Sequence, residues 1–255
     1  MIVADNVSKQ FGNYMAVKNI SFHLEKGHIL GLIGANGSGK TTLIRMISTI
    51  LSPTSGEIRV NGMSTIKNPE EIREQMGVLL GGDVILYSHL TAEENIEYFG
   101  LLQGMEKKLI HKRINELVEL LNMQDFIKRR TVGFSRGMKQ KVAFARTMIH
   151  NPKIILLDEP STGLDVCMIE DVQNYINVCR KNGCTIVLSS HNMDELNRLC
   201  DDMLILKTGS QIEYSSKEDL FHKYPNKSLD KIITGLMRGE IKYESISCSA
   251  GNRMP

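Results

Sequence analysis

One stretch constrains this chain more than any other: Gly34-Ala35-Asn36-Gly37-Ser38-Gly39-Lys40-Thr41-Thr42. It matches G-x-x-x-x-G-K-[ST]. It also sits where that pattern carries meaning, after the apolar run His28 to Ile33 and before the helix-like stretch Thr41 to Ile50. Glycines let successive backbone N–H groups turn inward as an anion nest. A helix that starts at the end of the loop aims its positive dipole end at the same point. Lys40 adds a full charge suited to β- and γ-phosphates, and Thr41 a hydroxyl suited to Mg²⁺. All nine residues are therefore expected to cradle a nucleoside triphosphate.

Farther on, Ile154-Ile155-Leu156-Leu157-Asp158-Glu159 puts two acids at the end of an apolar strand. In open α/β sheets ligands bind at the carboxyl ends of strands. Asp158 is placed to hold Mg²⁺, directly or through water. Glu159 is placed to orient water for attack on a γ-phosphate. Two acids can also end a buried strand as a plain solvated cap. The phosphate loop upstream favours the catalytic reading.

The rest of the chain alternates strand and helix, which means an α/β sheet. Strands are expected at Ile2 to Val7, Ala16 to Leu24, His28 to Ile33 and Glu57 to Val60, the last ending in the tight turn Asn61-Gly62. From about residue 90 to 151 the period changes to that of helices. Thr91 and Glu94 form a capping box for the first. Ile110, Ile114, Leu117 and Leu121 mark the second, and Ser135 opens the third. Strand and helix then resume through Val166 to Lys181, Thr185 to Ser190, Asp194 to Cys200, Met203 to Leu206 and Gln211 to Tyr214. One domain over 1–244 is expected, with a helical subdomain at about 90–151. Residues 245–255, small and polar, are expected to be disordered.

Composition excludes more than it selects. Lys and Arg number 31 against 29 Asp and Glu, a net charge of +2, too balanced to argue for nucleic acid as the partner. The basic run Lys128-Arg129-Arg130 is better taken as a solvated surface. No run approaches the roughly 18 apolar residues of a membrane helix. Met1-Ile2-Val3-Ala4-Asp5 lacks a basic leader, so no signal peptide is expected. The five cysteines (Cys167, Cys179, Cys184, Cys200 and Cys248) have no metal-knuckle spacing, and the seven histidines show no paired spacing. Free thiols in the reducing cytoplasm are the expectation.

Five motifs in order carry a resemblance: the phosphate loop, Phe134-Ser135-Arg136-Gly137-Met138-Lys139-Gln140, the acid strand, Pro160-Ser161-Thr162-Gly163-Leu164-Asp165, and His191 after a strand. Together, over roughly Ile2 to Tyr214, they resemble the ATPase subunit of ATP-binding-cassette (ABC) transporters. The resemblance implies a P-loop NTPase fold with a RecA-like core, an N-terminal antiparallel β subdomain and an inserted α-helical subdomain. It implies ATP and Mg²⁺ as ligands and a second copy of the chain as partner, in a sandwich around two ATP. A separate membrane permease, and a position on the cytoplasmic face of the membrane, follow from it as well. Glu159, His191 and Lys40 become the catalytic set. Ser135 and Gly137 become ligands of the nucleotide held by the other copy, with Asp165 beside them. Phe11 becomes the ring that stacks on adenine. Taken alone, Ser135 to Gln140 also describes an ordinary capped helix, and a lone histidine after a strand is more often structural.

Two positions depart from the family pattern. The signature usually reads Leu-Ser-Gly-Gly-Gln, and here Arg136 replaces a glycine and Met138 the glutamine. A glutamine usually follows a strand like Gln75 to Leu80, and here Gly81-Gly82-Asp83 stands, with Asp83 a candidate replacement ligand. Both features are similar to a branch serving sodium and multidrug export. Alternatives remain: a soluble ABC ATPase of the iron–sulfur assembly type, or an ATP-dependent regulator that rarely hydrolyses. A GTPase fits poorly, because Asn226-Lys227-Ser228-Leu229 lacks a final aspartate.

Overall fold

The structure, a computed structural model, describes residues 1–82 and 85–240. Asp83, Cys248 and the tail 245–255 lie outside them. The chain opens with the hairpin of β1 (Ile2–Phe11) and β2 (Tyr14–Leu24), turning at Gly12 with φ +54°. Next come β3 (Ile29–Ile33) and α1 (Lys40–Ile47), then the small hairpin β4 (Ser55–Val60) and β5 (Met63–Ser64) across Asn61-Gly62. The short helix α2 (Pro69–Glu74) leads into β6 (Met76–Leu79).

Three helices follow: α3 (Ala92–Leu102), α4 (Lys107–Leu120) and α5 (Arg136–Met148). The capping box that opens α3 is complete: Thr91 Oγ1 accepts from the Glu94 N–H, and the Glu94 carboxylate accepts from the Thr91 N–H at 2.7 Å. Then β7 (Ile154–Asp158), α6 (Val166–Lys181), β8 (Thr185–Ser189), α7 (Met193–Leu199), β9 (Asp202–Lys207) and β10 (Ser210–Ser216) alternate. Helices α8 (Lys217–Lys223) and α9 (Leu229–Arg238) end the described chain.

All ten strands join one mixed sheet in the order β5-β4-β1-β2-β10-β9-β3-β8-β7-β6. The first four pair antiparallel, as do β10 and β9, whereas β9, β3, β8, β7 and β6 run parallel to one another. The central parallel strands are buried along their whole length, as sheets covered on both faces require. Successive residues feed opposite layers. Ile29, Ile33, Ile155 and Leu157 join the core beneath α5 and α6, while Leu30, Leu32, Ile154 and Leu156 join the core beneath α1. This fixes the carboxyl ends of β3, β7 and β8 side by side, with Asp158 opposite Ser189 in register.

Three helices were not expected from the pattern: α2, α8 and α9. Pro69 at the first position of α2 supplies a helix start without a long apolar stripe. Leu229, Ile232, Ile233 and Leu236 form the apolar face of α9 and pack into the α6-side core.

Candidate functional site

The loop Gly34 to Gly39 leaves β3 and wraps into α1. It closes tightly because two positions accept no side chain. A Cβ on Gly34 would meet the Leu206 carbonyl at 2.5 Å, and one on Gly39, at φ +106°, would meet the Ala16 carbonyl at 2.7 Å. Gly39 caps α1 without a side chain, leaving the first-turn N–H groups to whatever occupies the loop. Ser38 Oγ is buried beside them with no partner. The Lys40 ammonium, in a residue only 6% exposed, donates to the Gly34 carbonyl at 2.6 Å. Burial pushes its pKa down, against the nearby charges of Glu159 and Asp158.

The end of β7 completes the site. Asp158 is 3% exposed, and its two oxygens accept from the Thr41 hydroxyl at 2.7 Å and the Ser189 hydroxyl at 2.6 Å. Glu159 turns away from the strand at φ +55°, held by its N–H on Ser189. Its Oε1 lies 3.1 Å from His191 Nε2, and its Oε2 accepts from the Thr162 hydroxyl at 3.3 Å. His191 Nε2 also lies 3.0 Å from the Asn36 side-chain oxygen, so the histidine spans the mouth between loop and acid.

These groups line one open cleft of about 560 Å³. Ala35 to Thr42, Asp158, Glu159 and His191 lie in it together, and Gly34 stands behind it as the acceptor of Lys40. Phe11 is placed differently. It lies at the tip of the β1–β2 hairpin, 47% exposed, with the Lys9 ammonium 5.3 Å from its ring centre. Its cross-strand partner Tyr14 lines the cleft and reaches the Gly37 carbonyl at 3.5 Å. Ser135, Gly137 and Asp165 are not in the cleft. Ser135 and Asp165 cap α5 and α6, accepting from the N–H groups of Met138 and Met168. A Cβ on Gly137 would lie 2.3 Å from Met168 Sδ, which accounts for that glycine within the chain.

The sequence reading missed several residues of the cleft: Tyr14, Gly81, Gly82, Arg136, Gln140 and Thr162, and behind them Ser189. Ser189 was visible only as one residue of the expected strand Thr185 to Ser190. What makes it a partner of Asp158 is the β7–β8 register, which no local pattern reveals. Arg136 was read as a lost glycine rather than as a cation on the cleft wall.

A hydroxyl and a carboxylate held 2.7 Å apart beside an anion loop form a hard-oxygen donor pair that suits Mg²⁺. Among the described residues no group of three or more His, Cys, Asp or Glu could hold a metal ion, so protein ligands alone would not complete its shell. Mg²⁺ ordinarily fills its shell with water and phosphate.

The family model described as "ABC transporter" matches residues 17–162. The ABC transporter ATP-binding protein NatA of Bacillus subtilis (strain 168) is 41% identical over 244 residues, covering 94% of this chain and 99% of that one. A solved structure titled as the ATP-binding subunit of an ABC transporter superposes with a TM-score of 0.85 at 27% identity, over 92% of this chain and 99% of that one. The dimeric post-hydrolysis state of the ATP-binding cassette MJ0796, bound to ADP and Pi, superposes with a TM-score of 0.76 at 26% identity, over 85% and 98%.

Proposed function

Because this chain belongs to the ABC transporter family, we propose that it is the ATP-hydrolysing subunit of an exporter, closing as a dimer around two ATP to drive a separate membrane permease. One observation supports this above the others: Lys40, Thr41, Asp158, Glu159 and His191 come from three separate segments yet share a single cleft around the loop. Among the described residues no helix is long and apolar enough to cross a membrane. Attachment to the cytoplasmic face of the membrane would then run through that permease.

The geometry supports one assignment of roles. The uncapped start of α1, the orphaned Ser38 hydroxyl and Lys40 take the β- and γ-phosphates. Thr41 and Asp158 would hold Mg²⁺, which when bound would supply charge neutralisation. Glu159 orients and deprotonates the attacking water. Its left-handed backbone turns the carboxylate out of the strand towards His191, which steadies the terminal phosphate. Phe11 and Tyr14 at the hairpin tip offer rings to the base. The capped N-terminus of α5, with Ser135 and Gly137, meets the γ-phosphate bound by the other copy, where a helix dipole favours an anion. Asp165, beside it, shapes the same contact. Asp83, outside the described residues, would serve Mg²⁺ in place of the missing glutamine, and Asp83→Ala should then raise the Mg²⁺ concentration needed for activity.

Steady-state phosphate release tests the enzyme reading. Glu159→Gln should keep ATP binding and lower kcat by about 10²-fold or more, the range for losing a general base. Wild-type release as slow as that of Glu159→Gln, with ATP bound, would instead identify a non-hydrolysing regulator. Recovery of an active chain in membranes only when its permease is co-expressed separates a transporter from a soluble ABC ATPase.

A further inference from the structure

Glu195 sits on α7, away from the cleft wall, yet it is 1% exposed. No lysine, arginine or histidine among the described residues lies within ion-pair distance of it. Its carboxylate is satisfied by neutral donors: the Ser161 hydroxyl and the Gln173 amide (3.4 Å) on Oε1, and the Ser190 hydroxyl at 2.5 Å on Oε2. Burying a carboxylate without a cation is costly even when it is hydrogen-bonded. An apolar side chain would fill the same space on a helix that otherwise packs through Leu196 and Leu199.

The two serines show what the carboxylate does. Ser161 is two residues past Glu159, and Ser190 immediately precedes His191. Glu195 therefore clasps the two loops that carry the base and the histidine, whose side chains meet at 3.1 Å on the far side. The other side-chain ties between the two segments are that exposed contact and the Ser189 hydroxyl, which bonds the Glu159 N–H and the Asp158 carboxylate at the strand ends, before either loop begins. Asn192 fixes the carboxylate's own helix by accepting from the Asp194 and Glu195 N–H groups, and its own N–H binds Ser190 Oγ at 3.0 Å.

We propose that Glu195 is a positioning residue for hydrolysis, a buried clasp that sets the spacing of Glu159 and His191 through Ser161 and Ser190. It rests on the ATPase reading above. It touches neither the phosphate loop nor the nucleotide, so it acts on turnover and not on binding. A shift of about 1 Å between reacting groups costs up to roughly 10²-fold in rate.

The test compares Ser161→Ala, Ser190→Ala, their double variant and Glu195→Ala in the full chain, with kcat, KM and ATP dissociation constant measured beside melting temperature. The serine variants each remove one hydroxyl, so they keep the question open to an answer should Glu195→Ala fail to fold. Expected is a kcat loss of about tenfold or more for either serine variant. The double variant should be no worse than the poorer single by more than about twofold, because one clasp is broken in both. ATP affinity should stay within about threefold of wild type. The clasp is refuted if kcat stays within twofold of wild type in the serine variants, or if the two losses multiply in the double. Loss of melting temperature with kcat unchanged leaves Glu195 a packing residue only. A wild-type chain with no ATPase activity at all sinks the ATPase reading instead, so the two failures are distinguishable.

Discussion

At the scale of single residues, the site is a set of charges held still by short contacts. Lys40 is the clearest case. Its ammonium already leaves water to bond the Gly34 carbonyl, so it needs little further desolvation to meet a phosphate. A charge-assisted hydrogen bond contributes about 1.5–3 kcal/mol. Lys40→Ala should therefore weaken ATP binding by roughly 10- to 150-fold, read by calorimetry with Mg²⁺ present. Ser189 makes a separate prediction. Ser189→Ala would strip Asp158 Oδ1 of its buried donor, at a cost of about 1–3 kcal/mol seen in urea unfolding. Lys40, Thr41, Asp158 and Glu159 were legible in the sequence because their spacing is local: each lies within a contiguous motif on one strand-to-helix or strand-to-loop junction. Ser189, Tyr14 and Glu195 were not, because Asp158, Gly37 and Ser161, which they meet, lie 31, 23 and 34 positions away, joined by register and packing. Arg136 shows the converse difficulty: its place on the cleft wall depends on where α5 rests against Gly163, where a Cβ would lie 2.6 Å from its Nε.

At the scale of elements, local signals and tertiary packing divide the work. The Thr91 cap of α3 is a local signal, and Thr91→Ala should lower unfolding free energy by about 1 kcal/mol with an unchanged denaturant slope. Phe144 of α5 is a packing residue, 1% exposed and edge-on to Tyr175 of α6 at 5.5 Å between ring centres. Phe144→Ala should cost about 3–5 kcal/mol, and circular dichroism on heating should show it. Elements with strong periodicity were legible to within a few residues: β3, β7, α3 and α6 all fall where the pattern put them. Helix α2 spans six residues and is too short for a period to emerge. Helix α9 carries a clear apolar stripe but follows the last recognised motif, where Asn226 to Leu229 drew attention only as a guanine motif without its final aspartate. β6 is held close to α5 because Gly77 has no side chain: a Cβ would stand 2.7 Å from the Thr147 carbonyl. Nothing in the run Gln75 to Leu80 announces that approach.

At the scale of the whole molecule, one mixed sheet ties the antiparallel hairpins to the parallel core through a single pairing of Ser210 with Lys18. That junction places the β1–β2 hairpin tip beside the phosphate loop, so in the proposed site base and phosphates would be met by different halves of one sheet. The order of strands could not be read from the chain, because β10 inserts between β2 and β9 from the far end of the sequence. The α5 N-terminus lies outside the cleft except for Arg136 and Gln140, so the proposed site, with Ser135 and Gly137 in it, would need a second copy. The mass of the Glu159→Gln chain in solution, by light scattering with and without ATP, tests this most directly. Expected is a monomer without nucleotide, twice the chain mass with ATP, and a monomer again when Lys40→Ala is added. A monomer under every condition, or a dimer that ignores nucleotide, would contradict the ATP-sandwich mechanism.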